Sequence, residues 1–226
     1  MTGRTMLAQR IDEIGRNMAA CRRHCDGIHL DPDRGILPRA LRLEEEGRSG
    51  NRGSVALGVN PGRGDAAEQS YYLQHGSTYD AMVAFWEEHR RFSHRYMIRT
   101  RGFIDAIGLD GPILWTELVK CQNPSGTKGT PPLSTLRACV HQYLMHEIAA
   151  VPLDWPIISL GREPHRISAL MFPTRTIIGV PHPTGSFGHF LRLFNRIGSL
   201  KAKPRRRLDK ALASELPAAI WLTAGM

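Results

Sequence analysis

Apolar residues along this chain follow two alternating patterns. Short continuous apolar runs bounded by Gly, Pro and Asn are typical of strands that are buried on both faces. Apolar residues repeated every three or four positions are typical of amphipathic helices. The first pattern predicts strands at residues 55–59, 112–120, 155–161 and 175–183. The second predicts helices at residues 7–18, 77–97, 132–151 and 186–197, with a short helix at ALRLEEE, residues 40–46.

This alternation of strands and helices determines the expected fold. Strands separated by helices predict a parallel sheet that is covered on both faces. We therefore expect an α/β fold with three layers, α/β/α, around a central parallel sheet of four strands.

The length of the chain bounds its domain organisation. A chain of 226 residues suits one α/β domain with a sizeable core. We expect this single domain over residues 1–200, and a basic C-terminal extension with a short helix over residues 201–226. No apolar run approaches ~20 residues, and the first residues lack a signal-peptide pattern. These features predict a cytoplasmic protein without a membrane partner, associated with the nucleoid if the source is bacterial.

The charge balance indicates the kind of partner. Thirty Lys and Arg residues against 21 Asp and Glu residues give a formal net charge of +9. Such an excess is typical of proteins that contact a polyanion, most often nucleic acid. The alternative is a basic soluble protein without such a partner.

The four cysteines are candidate metal ligands. They are Cys21, Cys25, Cys121 and Cys139. Without a secretory signal disulfides are disfavoured, and a metal or cluster site becomes the sharper hypothesis. Four unrelated buried thiols are the alternative.

Polar residues collect where three of the predicted strands end. The first strand ends in Asn60-Pro61-Gly62, the second in TELVKCQNPSG, and the fourth in PHPTGSFG, which contains His182. In an open parallel sheet, ligands bind beyond the carboxyl ends of the strands. We therefore expect these loops to line one cleft.

Five segments in this order resemble the uracil-DNA glycosylase superfamily. They are GVNPG, ELVKCQNPSGTKGTPP, CVHQYLMHEIAAV, IISLG and HPTGS, and the resemblance covers about residues 15–198. It is strongest to the iron–sulfur branch, whereas the first motif is similar to the Gly-x-Asn-Pro-Gly of the mismatch-specific and single-strand-selective branches. The resemblance implies a monofunctional hydrolase that flips uracil out of damaged DNA and leaves an abasic site for base excision repair.

The resemblance assigns two catalytic residues. Asn60 would hold the water that attacks the deoxyribose C1′, because an amide oxygen accepts one of its protons. His182 would donate to uracil O2 and stabilise the leaving anion. A turn without chemistry at Asn60, and a structural role for His182, are the alternatives.

Other residues would contact the flipped nucleotide. Gly58, Val59, Pro61 and Gly62 form the backbone turn that approaches it, and Thr184 offers a hydroxyl to a phosphate. An aromatic ring must stack on the extruded base.

The family's position for that ring, counted from Gly58, falls at Tyr72, with Tyr71 beside it, and packing of either tyrosine in the core is the alternative. Phe187 would insert as a wedge into the DNA stack or pack the start of the last helix. Basic residues are expected to bind phosphates at the rim of the site: Arg63, Lys120, Lys128, Arg162 and Arg192.

The resemblance also gives the cysteines a role. Cys21, Cys25, Cys121 and Cys139 follow the order in which the iron–sulfur branch binds a [4Fe–4S] cluster. Three residues separate the first pair where the branch has two, and a structural zinc site stays the alternative. The cluster would fix loops near the DNA.

Glu117 stands where the iron–sulfur branch carries the Asn that reads uracil. An ionised carboxylate would accept from N3–H and repel O4, whereas a protonated Glu makes both bonds. Burial in a closed base pocket favours the protonated form. The alternative is that Glu117 points away and pairs with Lys120 or an arginine.

A second class of function is a binder. A protein with the same fold would then bind uracil-containing or single-stranded DNA, either through a covalent bond or without catalysing a reaction. No lysine is placed as a Schiff-base nucleophile in the Asn60 or His182 loops, so strand cleavage is not expected. We expect a monomer whose partner is uracil-containing DNA.

Overall fold

The structure is a computed structural model that describes residues 5–45, 48, 51–90, 93–124, 129–195 and 198–223. Strands and helices alternate along the chain, which confirms the predicted α/β class. The strands are β1 (Arg42–Glu44), β2 (Ser54–Gly58), β3 (Ile113–Glu117), β4 (Ile157–Leu160), β5 (Ile177–Val180) and β6 (Ala219–Trp221). The α-helices are α1 (Met6–Ala19), α2 (Ala66–His75), α3 (Tyr79–Phe85), α4 (Arg95–Ala106), α5 (Leu133–Cys139), α6 (Met145–Ala150), α7 (Arg162–Met171), α8 (Phe187–Leu191) and α9 (Ala202–Ala213).

The strands form one mixed sheet in the order β1-β3-β2-β4-β5-β6. β2, β4, β5 and β6 run parallel, with Val55 opposite Ile157, and Ile157 opposite Ile177. Every residue of β2, β4 and β5 is buried, as continuous apolar runs predict. The predicted number of four strands is not confirmed, because β1 and β6 extend the sheet to six within the described ranges.

The helix predicted at residues 40–46 is wrong, because this segment contains β1. Ala40 has a φ of 74°, in the left-handed region, which is incompatible with a helix that starts there. Glu44 is buried and accepts two hydrogen bonds of 2.8 Å from the guanidinium of Arg101. This bidentate ion pair outweighs the high helix propensity of Leu and Glu, which differs from that of other residues by only a few tenths of a kcal/mol.

Two predicted helices contain a wider, π-helical turn. α3 continues as a π segment over Trp86–Arg90, and α5 continues through Val140–Leu144 into α6. The helix predicted at residues 132–151 is confirmed as this α5–α6 stretch. Such π turns often lie at functional sites because they redirect the side chains beside them. Here the turn begins directly after Cys139.

The C-terminal residues take part in the sheet. The predicted short helix is α9, and β6 after it pairs with β5. The domain boundary at residue 200 stays a prediction. Within the described ranges, no helix combines the length and the apolar character that crossing a membrane requires.

The chain divides into two compact units. Unit 1 comprises Met1–Leu43, Val59–Arg91 and Trp115–Val151, and unit 2 comprises Glu44–Gly58, Phe92–Leu114 and Pro152–Met226. In unit 1, α1 packs against α3 and α6 and buries Ile11 and Met18. In unit 2, α7 packs against β4 and β5, and α9 packs against β6.

A fully buried ion pair lies in unit 1. Lys120 follows β3, and its Nζ lies 2.8 Å from Glu147 Oε2 of α6, with both side chains 0% exposed. The ammonium also donates to Thr116 Oγ1 at 2.6 Å and to the Glu117 carbonyl oxygen at 2.7 Å. Three acceptors match its three protons, which is the condition for burying a charge at tolerable cost.

Removing one partner of this ion pair should strongly destabilise the protein. Lys120→Met leaves the Glu147 carboxylate buried without its cation, and we expect the free energy of unfolding to fall by about 3–5 kcal/mol. Urea denaturation monitored by circular dichroism measures the change. The double variant Lys120→Met/Glu147→Leu should recover most of the loss, since it leaves no unpaired charge.

The exposed ion pair between Arg166 and Glu163 provides the control. Arg166→Met should change the free energy of unfolding by less than about 0.5 kcal/mol. A Lys120→Met protein as stable as wild type would show that the buried pair does not support the fold.

Candidate functional site

Asn60 lies two residues beyond the end of β2, as predicted, and is half-buried. Its side-chain Nδ2 donates to Asn123 Oδ1 at 3.0 Å and lies 3.5 Å from the carbonyl oxygen of Cys121. Because both contacts engage the nitrogen, Oδ1 is the amide atom that a water can donate to. This is the orientation that holding a nucleophilic water requires.

The backbone after Asn60 is held by side chains of unit 1. The Arg39 guanidinium donates to the Gly62 carbonyl oxygen and, at 3.1 Å, to Gln122 Oε1. Gln122 Oε1 also accepts from the Gly64 N–H at 2.9 Å. Arg39 is itself paired with Glu68 at 3.2 Å. Side chains outside the loop therefore hold its backbone at Gly62 and Gly64.

The other residues of the first motif have separate environments. Gly58 is buried as the last residue of β2, and Pro61 is buried beyond it. The Val59 carbonyl oxygen accepts from the Val119 N–H at 2.9 Å. A Cβ added at Gly62 would meet no described atom within 4 Å. The fold thus leaves open space beside this glycine, where a ligand could approach the backbone.

The two candidate stacking tyrosines differ in exposure. Tyr72 is 2% exposed, and its hydroxyl donates to Glu68 at 2.9 Å, so its ring packs in unit 1. Tyr71 is half-buried and stacks on His75, with ring centroids 4.1 Å apart. As placed, only Tyr71 of this pair has ring surface that a base could contact.

Glu117 is the last residue of β3, and its side chain is buried. Lys120 contacts the Glu117 backbone carbonyl, while its ion pair is with Glu147. The alternative, in which Glu117 points away and pairs with Lys120 or an arginine, stays a hypothesis. Reading of the base by Glu117 stays a prediction.

The predicted basic rim needs one correction. Lys120 cannot bind phosphate, because it is fully buried and its ammonium is saturated by acceptors. Arg63, Arg162 and Arg192 are exposed. Lys128 lies outside the described residues.

The four cysteines line one cavity in unit 1. Cys21 and Cys25 follow α1, Cys121 follows β3, and Cys139 ends α5. The cavity has a volume of ≈ 360 Å³, including space open to solvent. None of the four is in a disulfide. The grouping predicted from their order along the chain is thus present in the structure.

Short hydrogen bonds hold the N-terminal pair near the other two cysteines. Thr135 of α5 donates to the Asp26 carbonyl oxygen at 2.7 Å, and the His29 N–H donates to the Gln122 carbonyl oxygen at 2.8 Å. Gly27 between these contacts has a φ of 67°, and a Cβ there would lie 2.5 Å from Pro132. Only glycine therefore allows the loop to pass this close to α5.

The electrostatics of the cavity favour neutral thiols without a metal. Burial, followed by the neighbouring cysteines, raises the pKa of Cys121 to about 12. Burial likewise raises the pKa of Cys25 and of Cys139. The Lys120 N–H donates to Cys139 Sγ at 3.3 Å, a contact that stabilises a ligated thiolate. Metal binding would release protons from these thiols.

Two kinds of metal site are bound by four cysteines. Among the residues with described positions, no group of three or more His, Cys, Asp or Glu side chains could hold a metal ion as placed. One zinc ion would draw four sulfurs to within about 2.3 Å of a single point. A [4Fe–4S] cluster binds each thiolate through a different iron and so spaces them farther apart. The four thiols line one cavity, and the cluster and the zinc site both stay hypotheses for it.

His182 lies two residues beyond β5, in unit 2, and is half-buried. Its Nδ1 accepts from the backbone N–H groups of Gly185 at 2.9 Å and Thr184 at 3.2 Å. An Nδ1 that accepts two donors carries no proton, so the neutral ring has its proton at Nε2. Burial lowers the pKa of His182 below its ordinary value. The side chain is therefore a neutral imidazole with one N–H donor at a fixed atom.

Residues around His182 support this arrangement. A Cβ at Gly185 would lie 3.3 Å from Nδ1, so glycine permits the close approach of its N–H. The exposed Thr184 also places its hydroxyl 3.2 Å from Nδ1. Phe187 begins α8, and the Arg99 guanidinium lies 3.3 Å from its ring centroid. This contact agrees with packing at the start of α8, and wedge insertion stays a prediction.

The sequence analysis missed three residues that lie near the candidate site residues. Tyr96 of α4 has its ring centroid 5.5 Å from that of His182, and no sequence signal points to it. Arg39 lies far from the motifs along the chain, and no sequence signal points to it either. Asn123 had a signal, because Asn123-Pro124 repeats the Asn60-Pro61 dipeptide after a second strand.

Nuclear magnetic resonance should confirm the protonation state of His182. We expect a protonated Nε2, an unprotonated Nδ1 and a pKa below 6.5, because burial disfavours the imidazolium and backbone donors occupy Nδ1. Long-range ¹H–¹⁵N spectra recorded over a pH series measure all three, with His182→Gln identifying the resonances. A proton on Nδ1, or a pKa at or above 6.5, would contradict the structure.

Comparison of the sequence with protein-family models and with curated proteins finds no match. The function must therefore be inferred from the residues and contacts described above.

Proposed function

We propose that this chain is a DNA glycosylase that flips uracil out of DNA and hydrolyses its N-glycosidic bond to start base excision repair. The observation that carries the proposal is the fixed tautomer of His182. Two backbone donors occupy Nδ1, so the neutral ring presents an N–H at Nε2. A leaving uracil anion needs such a donor at O2.

The positions of Asn60 and His182 along the chain support the same proposal. β2 and β5 run parallel within unit 2, each paired with β4, so their carboxyl ends lie at the same edge of the sheet. Asn60 follows β2 by two residues, and His182 follows β5 by two residues. Ligands of open parallel sheets bind beyond this edge. We infer a three-layer, uracil-DNA glycosylase-like architecture.

The proposed reaction needs no covalent intermediate. A water held by Asn60 Oδ1 attacks C1′, and the bond from C1′ to N1 of the base breaks. Its electron pair moves onto the pyrimidine, largely to O2, where the His182 Nε2–H stabilises the charge. The amide cannot take up the proton that the attacking water loses, so that proton passes to solvent.

Several described features fit a DNA substrate. The net charge is +9, and Arg63, Arg162 and Arg192 are exposed for phosphate contacts. The open space beside Gly62 allows a nucleotide to approach the backbone. Tyr71 is the aromatic side chain we propose for stacking on the extruded base.

We also infer that Cys21, Cys25, Cys121 and Cys139 hold a [4Fe–4S] cluster. The four thiols line one cavity, and four thiolates are the usual ligands of such a cluster. When bound, the cluster would link the loop after α1, the loop after β3 and the end of α5. This role is structural, because Cys121 immediately precedes Gln122 and Asn123, which hold the loop after β2.

Single-turnover base release tests the proposed function. The protein is incubated in excess with an oligonucleotide that contains one uracil, and alkali then cleaves the abasic product. Asn60→Ala and His182→Ala should each slow release by about 10²–10³, the usual effect of losing one positioned transition-state contact. Asn51→Ala and His189→Ala, which change an exposed Asn and an exposed His, should keep the wild-type rate.

Two outcomes would overturn the proposal. A wild-type protein that binds the uracil-containing strand without releasing uracil would instead be a binder. Wild-type rates in Asn60→Ala or His182→Ala would remove that residue from the mechanism.

Metal analysis tests the proposed cluster. Protein purified without oxygen should be yellow-brown and contain about four iron and four sulfide ions per chain. Cys121→Ser and Cys139→Ser should lose the iron and lower the melting temperature, because ligation contributes to folding. Tyr143→Phe, which changes a side chain lining the cavity that is not a proposed ligand, should retain the iron. About one zinc per chain and no iron would show that the cavity holds zinc.

A further inference from the structure

A second amide side chain contacts Asn60. Asn123 lies two residues after Cys121, is half-buried, and belongs to unit 1 together with Asn60. Its Oδ1 accepts from Asn60 Nδ2 at 3.0 Å, and its own Nδ2 donates to the Gly129 carbonyl oxygen at 3.0 Å. A backbone carbonyl and two side-chain amides thus form a short chain of hydrogen bonds that ends at Asn60 Oδ1.

The direction of these hydrogen bonds is set by the backbone. Gly129 offers a carbonyl oxygen, which only accepts, so Asn123 must present its nitrogen there and its oxygen to Asn60. Asn60 must then present its nitrogen to Asn123, and the Cys121 carbonyl oxygen at 3.5 Å favours the same orientation. Rotating the Asn60 amide by half a turn would place its oxygen against two other oxygens. The contacts therefore select one of two orientations that are otherwise sterically similar.

We propose that Asn123 is a positioning residue that holds the Asn60 amide with Oδ1 toward the attacking water. The inference rests on the proposed function, because it assigns Asn123 a role in the same reaction. An asparagine turned the other way would present N–H donors to the water oxygen, and these oppose its nucleophilic attack. Asn123 acts through Asn60 and does not itself touch the reacting atoms.

The expected effect on the rate follows from one neutral hydrogen bond. In Asn123→Ala, the Asn60 amide samples both orientations. We expect the single-turnover rate of uracil release to fall by about 2-fold, since about half of the molecules then hold the amide in the wrong orientation, with the affinity for the uracil-containing strand unchanged. Asn123→Asp keeps an acceptor for Asn60 Nδ2, so its rate at saturating enzyme should lie above that of Asn123→Ala. Asn51→Ala is the matched control, since Asn51 is exposed.

A double variant separates positioning from general damage to the fold. If Asn123 acts only through Asn60, then Asn60→Ala/Asn123→Ala should be as slow as Asn60→Ala and no slower. A further fall in the double variant, or a full wild-type rate in Asn123→Ala, would overturn the positioning role. Melting temperatures of all variants identify any that fail to fold. If Asn123→Ala fails to fold, Asn123→Leu takes its place, because leucine fills a similar volume and offers Asn60 no acceptor.

A measurement without substrate distinguishes this inference from the proposed function. Hydrogen exchange of the Asn60 side-chain NH₂, followed by nuclear magnetic resonance, should be faster in Asn123→Ala than in wild type. Unchanged exchange would overturn the contact itself. A wild-type protein that releases no uracil overturns the proposed function and the catalytic role of Asn123 together. An active wild type with an unaffected Asn123→Ala overturns the role of Asn123 alone.

Discussion

The buried ammonium of Lys120 is the interaction on which the rest of unit 1 depends. Its side chain joins the end of β3 to Glu147 of α6, and no part of it reaches solvent. Its backbone contributes as well, because the N–H contacts Cys139 Sγ and the carbonyl oxygen accepts from the Arg39 N–H at 2.7 Å. A charge that is costly to bury has one well-satisfied position, so it fixes the segments that supply its acceptors. The Lys120 backbone in turn contacts Cys139, which lines the cysteine cavity, and Arg39, which holds the loop after β2.

This dependence explains why the loop after β2 needs few contacts of its own. Arg39 reaches the Gly62 carbonyl oxygen and Gln122, while Gln122 holds the Gly64 N–H. The Arg39 backbone is hydrogen-bonded to Lys120, and Gln122 directly follows Cys121 in the chain. The residues of the loop can then be chosen for what they offer a ligand. Gly62 illustrates this freedom, because nothing described lies near the Cβ it lacks.

Prediction from sequence succeeded for elements that a local residue pattern determines. It failed for elements whose conformation depends on a residue far away along the chain. The four central strands were predicted because continuous apolar runs identify buried strands. β1 was missed because its state depends on Arg101, distant along the chain, which pairs with Glu44. α2 was missed although its cap, in which Asp65 accepts from the Glu68 N–H, is a local signal. The burial of Lys120 was unforeseeable because a lysine after a strand is normally solvated.

The candidate site shows the same division between local and distant information. The four cysteines line one cavity, and the residue types of Asn60 and His182 indicate which atoms can donate and accept hydrogen bonds. Their orientations were not predictable, because they depend on a second amide and on two backbone N–H groups of the His182 loop. A motif thus identifies which atoms are present. The contacts around it determine which of those atoms face a ligand.

The fixed tautomer of His182 has a particular value if the ligand is DNA. Phosphates near an imidazole favour its protonated form, since an opposite charge stabilises the imidazolium. Protonation would add a hydrogen at Nδ1, where the Gly185 and Thr184 N–H groups already donate, so these donors and burial both resist it. The ring can then stay neutral when DNA approaches, and Nε2–H stays in place as the donor. In the proposed reaction this donor would lower the barrier, because its attraction to a leaving anion exceeds its attraction to the uncharged base before the bond breaks.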